Sequence, residues 1–319
     1  MAGKRFEQQL AALEDLREAG TAAVDGLRKA IANRNNYIAA KAAAMAAELG
    51  LKALVPDLVA AFDRFFVDAV KSDPQCWAKN ALAQALSTLA HEEARVYAQG
   101  LRHVQMEAVW GGKEDTAGAL RGHCALALVS CRDMPDMEML SHLLEALTDK
   151  DKTVRVAAAQ AIGRMGSREA ALLLRLRALM GDEEPEALGA CLSAVLSIEG
   201  RPGIGFVARF LDHDDAAEAA FALGLMRDEA ALEVLCDRWK REHNAPRAAE
   251  LLSAIAVSRL PEAIGFLTGL IESGSPGAVE AIRAMAGASP EVRPRVAAAV
   301  DRSGDARLRA EFEKQFPID

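Results

Sequence analysis

The chain has 319 residues, is 51% hydrophobic but only 5% aromatic, and carries a net charge of −8. Residues 1–110 hold thirteen charges of each sign, so the acidic excess falls entirely on 111–319. Apolar content carried by Ala and Leu argues against a sheet-based domain. The charge argues against a protein that grips nucleic acid along its length.

Five cysteines (Cys76, Cys124, Cys131, Cys191, Cys236) are too few and too scattered for a disulfide framework. Cys124 and Cys131 lie two turns apart on one predicted helix, roughly 10 Å by helical rise and too far to bridge. The first twenty residues are charged throughout and lack an apolar signal region. No run reaches the ~18 apolar residues of a membrane span. The expectation is a cytoplasmic protein with reduced thiols, no membrane contact and no cofactor.

In chain order, residues 3–19 read as an amphipathic helix, with Phe6, Leu10, Leu13 and Leu16 on one face and Gly20 as its stop. Helix-start signals then recur at Asn33, Asp73-Pro74, Asp115 or Thr116, Asp151, Glu184-Pro185, Asp215, Asn244-Ala245-Pro246 and Ser275-Pro276. Asp215 and Glu218 have capping-box spacing. Each signal opens a helix of small residues. Leu-rich partner helices are expected over 51–70, 91–110, 134–147, 169–180, 204–211, 229–240, 261–273 and 291–300, and a short charged one over 305–316. No strand is expected. The spacing of about 40 residues early and about 30 late is that of a helical repeat array.

The segment 149–180, DKDKTVRVAAAQAIGRMGSREAALLLRLRALM, resembles a HEAT repeat of the short type found in phycobilin lyase subunits. It matches in the turn Asp, the Val154-Arg155 step, the paired Ala and the Ile162-Gly163 closure. Copies beginning at Asn33, Asp73, Glu184 and Asp215 are similar, and together they cover roughly 25–305. The resemblance implies an all-α fold: a right-handed α-α superhelix (HEAT-like α-solenoid) of about eight helical pairs with capping helices at both ends. It divides into a capping helix over 1–20, repeats over 21–304 and a second cap over 305–319, in one continuous array. The helices with the Val-Arg step would line its concave side. Such arrays host many activities, so no single one is implied.

Aligning the small-residue helices places Lys41, Ala81, His123, Ala157, Cys191, Glu218, Glu250 and Glu280 at one repeat position. Gln84, Gln160, Phe221 and Arg283 follow three or four residues on, then Glu48, Arg164 and Val257. Glu218, Glu250 and Glu280 would form a carboxylate ladder suited to a basic peptide or helix. Equally, first-turn glutamates suit helix N-termini. Lys79, Arg121 and Arg155 share the Val-Arg position. They form either a basic strip or internal pairs with carboxylates of the neighbouring turn. Met106, Met134, Met137 and Met139 read as gap fillers.

The insert 110–118, with Trp110, Lys113 and Asp115, is the least repeat-like stretch, either a functional loop or a long connector. It lacks a phosphate-loop pattern. His91-Glu92 resembles one of the His-Glu pairs by which HEAT-type deoxyhypusine hydroxylases hold two irons, but that pattern needs several pairs. HEAT-like alkylpurine DNA glycosylases need a basic groove with aromatic and acidic groups. Trp77, Trp110 and Asp115 offer raw material, and the net charge opposes it. The resulting expectation is a non-catalytic protein–protein interaction scaffold, holding a partner peptide or helix in a groove acidic toward its C-terminal half. The alternative is an enzyme or lyase-like factor, or an alkylated-DNA-binding protein, using the groove near Trp110, His123 and Cys124.

Overall fold

The computed structural model describes residues 2–18, 23–213 and 215–317. Among these the chain forms twenty α-helices and one two-stranded hairpin. Gly20, read as a helix stop, lies outside the described residues. The chain divides into two compact units, Met1–Met165 and Gly166–Asp319.

The first unit contains α1 (Ala2–Glu18), α2 (Val24–Ile31), α3 (Asn36–Glu48), α4 (Val55–Phe65), α5 (Ala69–Ser72), α6 (Trp77–Thr88) and α7 (Ala94–Leu101). The strands β1 (Met106–Val109) and β2 (Gly112–Asp115) follow, then α8 (Gly118–Leu128), α9 (Asp136–Ala146) and α10 (Lys152–Met165). The small-residue helices α3, α6, α8 and α10 stack on one another in sequence. Their buried faces are largely alanine: Ala39, Ala42, Ala43 and Ala46 on α3, and Ala158, Ala159 and Ala161 on α10. The partner helices α4, α7 and α9 cover them with Leu58, Phe62, Tyr97 and Leu143.

The second unit contains α11 (Arg168–Met180), α12 (Pro185–Glu199), α13 (Arg201–Ala208), α14 (Ala216–Leu225) and α15 (Glu229–Arg241). It continues with α16 (Ala245–Ser258), α17 (Pro261–Glu272), α18 (Ala278–Ala288), α19 (Arg293–Ser303) and α20 (Ala306–Gln315). Here α12, α14, α16, α18 and α20 form the inner stack, and α11, α13, α15, α17 and α19 pack beside it. The fold is an all-α solenoid of stacked helix pairs, as the resemblance implied.

Helix starts follow the capping chemistry in some copies, while Glu184 at α12 and Gly277 at α18 supply no side-chain cap. Asp73 accepts from the backbone N–H groups of Ala78 (2.8 Å) and Lys79 (2.9 Å). Asn244 accepts from Arg247 N and Asp305 from Arg307 N. Three readings are corrected. At the first copy Asn35, not Asn33, caps α3 through Ile38 N, while Asn33 holds the backbone N–H of Asn35. The Asp215–Glu218 capping box does not form, because the Asp215 side chain makes no capping bond to α14. The expected helix 51–70 breaks after Phe65, where Ser72 Oγ ties the turn to Val67 O (2.9 Å).

The largest correction concerns 91–110, expected as one helix in a chain without strands. Helix α7 stops at Leu101, and 106–115 is an antiparallel hairpin pairing Met106 with Asp115 and Val109 with Gly112. Two residues, Trp110 and Gly111, make its turn, with Gly111 at φ 93°. From 104 to 108 the polar side chains of Gln105 and Glu107 face inward, while Val104, Met106 and Ala108 are exposed. This period-2 alternation is incompatible with a helix face.

The inner stack depends on close backbone approach. A β-carbon at Gly224 of α14 would lie 2.2 Å from the carbonyl oxygen of Ala254 on α16. Because a carbonyl cannot swing aside as a side-chain tip can, Gly224→Ala must push the two helices apart. The expected loss is about 2 kcal/mol, in the range for overpacking, measurable by urea denaturation. An unchanged midpoint would show that α14 and α16 are not held this closely.

Candidate functional site

The cations of the Val-Arg position prove to be internal. Lys79 is fully buried, with Nζ 3.0 Å from Asp73 Oδ2 and donating to Phe65 O at 3.3 Å. Asn36 Nδ2 donates to Asp73 as well, so the carboxylate serves four groups. Arg121 holds Asp149 through both Nε (2.7 Å) and Nη2 (2.9 Å) and Asp115 through Nη1 (2.7 Å). Arg155 donates to the carbonyls of Asp149 and Lys150. The internal-pair alternative fits Lys79 and Arg121, and Arg121 joins the turn at Asp115 to the next one at Asp149, whereas Arg155 bonds backbone carbonyls of the turn before its own helix.

Asp115, one of the insert candidates, belongs to the same network. It accepts from Gln105 N, Ala117 N and Arg121 Nη1. Burial opposes its ionisation, but these donors hold its carboxyl below the usual carboxylate range. Glu107, missed from the sequence, anchors the hairpin by accepting from Gln75 N (2.6 Å), Gln105 Nε2 (2.6 Å) and Thr116 Oγ1 (2.7 Å). Trp110 and Lys113 project from the hairpin, and Trp110 is fully exposed.

On the face of the first unit, Gln84 and His123 meet as their rows predict, with Gln84 Nε2 2.6 Å from His123 Nε2. His123 Nδ1 lies 2.9 Å from Ala119 O. A carbonyl only accepts, so Nδ1 carries the proton and Nε2 receives the amide: the ring is neutral. Half-burial pushes its pKa down in agreement. Its neighbour Cys124 is buried, its sulfur occupying the space beside Gly100, and burial pushes the thiol far up. Such a thiol stays protonated and packs in the core. Gln160 and Arg164 are exposed one turn apart on α10. Lys41 Nζ sits 5.7 Å over the Tyr37 ring, within an aromatic ladder that the sequence rows omitted: Phe6–Tyr37 (5.7 Å) and Tyr37–Trp77 (5.8 Å).

In the second unit Glu218 and Glu250 of the expected carboxylate row interact, and Glu280 does not join them. Glu218 is half-buried, and burial together with Glu186, Asp215 and Glu250 pushes its pKa up. Its carboxylate lies over Gly189 of α12, where a β-carbon would stand 2.5 Å from Oε2. The aligned residue of α12, Cys191, points into the core instead; Glu186 and Gly189 are the outward positions. Phe221 and Leu225, three and seven residues beyond Glu218, are exposed on the same side of α14. Glu280 stands apart from this group. Its charge acts on Arg283, which donates to Glu311 of α20 (2.6 Å) and holds that carboxyl down at about 2.

A further surface is absent from the sequence rows. Leu172, Leu176, Leu179 and Met180 of α11 are each more than half exposed and share one helix face, while Ala171, Leu174 and Ala178 face the core. The signal was there in LLLRLRALM, which is apolar on more than one face. Among the described residues no group of three His, Cys, Asp or Glu is placed to hold a metal ion, and no helix is long and apolar enough to cross a membrane.

Two outcomes follow from the buried charges and histidines. Asp73→Ala strands Lys79 and should cost about 3–5 kcal/mol, whereas Lys79→Met leaves Asp73 with three donors and should cost less; equal losses would refute the network. Burial also lowers the pKa of His103, His123 and His142. The unfolded chain therefore takes up protons first, near the ordinary value of about 6.5. Stability is full above that pH and is lost as pH falls through the lower folded-state values. Urea titrations should show the midpoint falling between pH 7.5 and 5; a flat profile would contradict these shifts.

Comparison with known proteins agrees with the geometry over the middle of the chain. The HEAT repeats family matches residues 113–195. No curated protein matches the chain. Among solved structures, the complex of CpcE and CpcF of phycocyanin lyase from Nostoc sp. PCC7120 aligns at 16% identity and a TM-score of 0.37, over 74% of this chain and 91% of that one. The chain thus carries HEAT repeats over residues 113–195, within a stack of small-residue helices that continues on both sides of that stretch.

Proposed function

We propose that the protein is an interaction scaffold, and that the face built by α12, α14 and α16 receives a basic amphipathic helix or peptide of a partner protein. The observation that carries this reading is the juxtaposition of Glu186, Asp215, Glu218 and Glu250 with the exposed Phe221 and Leu225. Burial and, after it, repulsion from the neighbouring carboxylates make Glu218 harder to ionise than a free glutamate. Cations from a partner relieve that repulsion, and the apolar pair accepts its hydrophobic stripe. HEAT repeats, as a class of stacked helix pairs, offer such faces to other proteins. The exposed stripe on α11 supports a protein partner on a second surface.

The α12–α14–α16 face carries opposing demands on stability and binding. Glu218→Gln removes a repelled charge and should raise the unfolding midpoint at pH 7, while weakening the partner. A Leu/Lys amphipathic helix serves as the probe and its Leu/Glu counterpart as the control, both measured by calorimetry. The Leu/Lys peptide should bind, more weakly as salt rises. Glu218→Gln with Glu250→Gln should cost about tenfold in affinity, equivalent to about 1.4 kcal/mol. Equal binding of the Leu/Glu peptide would sink the reading.

A further inference from the structure

A cavity of about 330 Å³ opens in the second unit between the C-terminal ends of α16 and α18, the flank of α17 and the start of α19. Its wall is apolar, from Ile264, Leu267, Met285 and Val292. Leu267 and Met285 are core residues, so the wall is rigid. Polar chemistry is confined to a few groups: the guanidiniums of Arg259 and Arg295, the Ser289 hydroxyl and the Glu291 carboxylate.

The two arginines are placed by different means. Arg259 ends α16 in the left-handed conformation (φ 55°, ψ 16°), which residues with a β-carbon rarely adopt. Its Nη2 donates to Ala288 O at 2.7 Å, fixing the guanidinium between α16 and α18. Arg295 is exposed in the first turn of α19, a turn with no acidic residue. Among the described residues it has no hydrogen bond or ion pair. Two cations against one carboxylate leave the lining with one positive charge in excess. That balance favours a monoanion over a dianion, which Glu291 would repel.

We infer that this cavity binds a small monocarboxylate with an apolar body, its head between Arg259 and Arg295 and its body against Ile264, Leu267 and Met285. The volume lies at the lower end for small-molecule sites and holds about ten heavy atoms. The inference is independent of the partner face on α12, α14 and α16.

The test is calorimetry on the full chain with 3-phenylpropionate. Its neutral amide has the same body without the charge, and acetate has the charge without the body. The acid should bind saturably at millimolar concentration or below, the amide about tenfold more weakly, and acetate without measurable heat. Arg295→Gln, at an exposed position, should weaken the acid about tenfold with an unchanged melting temperature. Ala288→Leu should fill the cavity and abolish binding. Equal affinity for acid and amide, unaltered binding by Arg295→Gln, or no saturable heat would each overturn the assignment.

Discussion

The distance between neighbouring inner helices sets everything else in this molecule. Where α14 meets α16, the space above Gly224 is filled by a backbone carbonyl, and along α3 and α10 the touching faces are alanine. Small residues bring helix backbones close, and close backbones give a thin, dense layer with little room for error. The composition follows from this. A chain that is half hydrophobic with so few aromatics suits a stack of this thinness, with larger side chains kept to the partner helices. Aromatics appear where the layer ends, as in the Phe6–Tyr37–Trp77 ladder.

Charge is used inside the stack as well as on it. Lys79 and Arg155 fasten the turn before their own helix, and Arg121 also reaches Asp149 of the following turn, so there the register of one repeat is read by the next. A buried pair such as Lys79–Asp73 adds little net stability over apolar residues of similar size. What it supplies is an uncompensated charge whenever the turn is displaced. The carboxylates around Glu218 are the reverse case: Glu186, Asp215 and Glu250 stand close enough to oppose its charge.

Fold and site were unequally legible in the sequence. Helix starts were readable because Asp73, Asn244 and Asp305 act on backbone groups a few residues away. The roles of Lys79 and Arg121 were readable as one of two alternatives. Row membership was less secure, since a drift of two residues in α12 turned Cys191 inward and brought Glu186 and Gly189 out. The hairpin escaped because Gln105 and Glu107, polar and alternating, are held by residues 32 positions earlier, Asp73 and Gln75. The exposed leucines of α11 escaped for a simpler reason: hydrophobicity predicts burial only when a neighbour exists to provide it.

That hairpin also bears on how the chain tolerates change. Its base is fastened by Gln105, Glu107, Asp115 and Thr116, whereas the stretch from Ala108 to Lys113 is exposed. The arm beyond the fastening is thus an appendage whose length and tip residues can diverge, or accept an inserted tag or epitope, without disturbing the helical layers beneath.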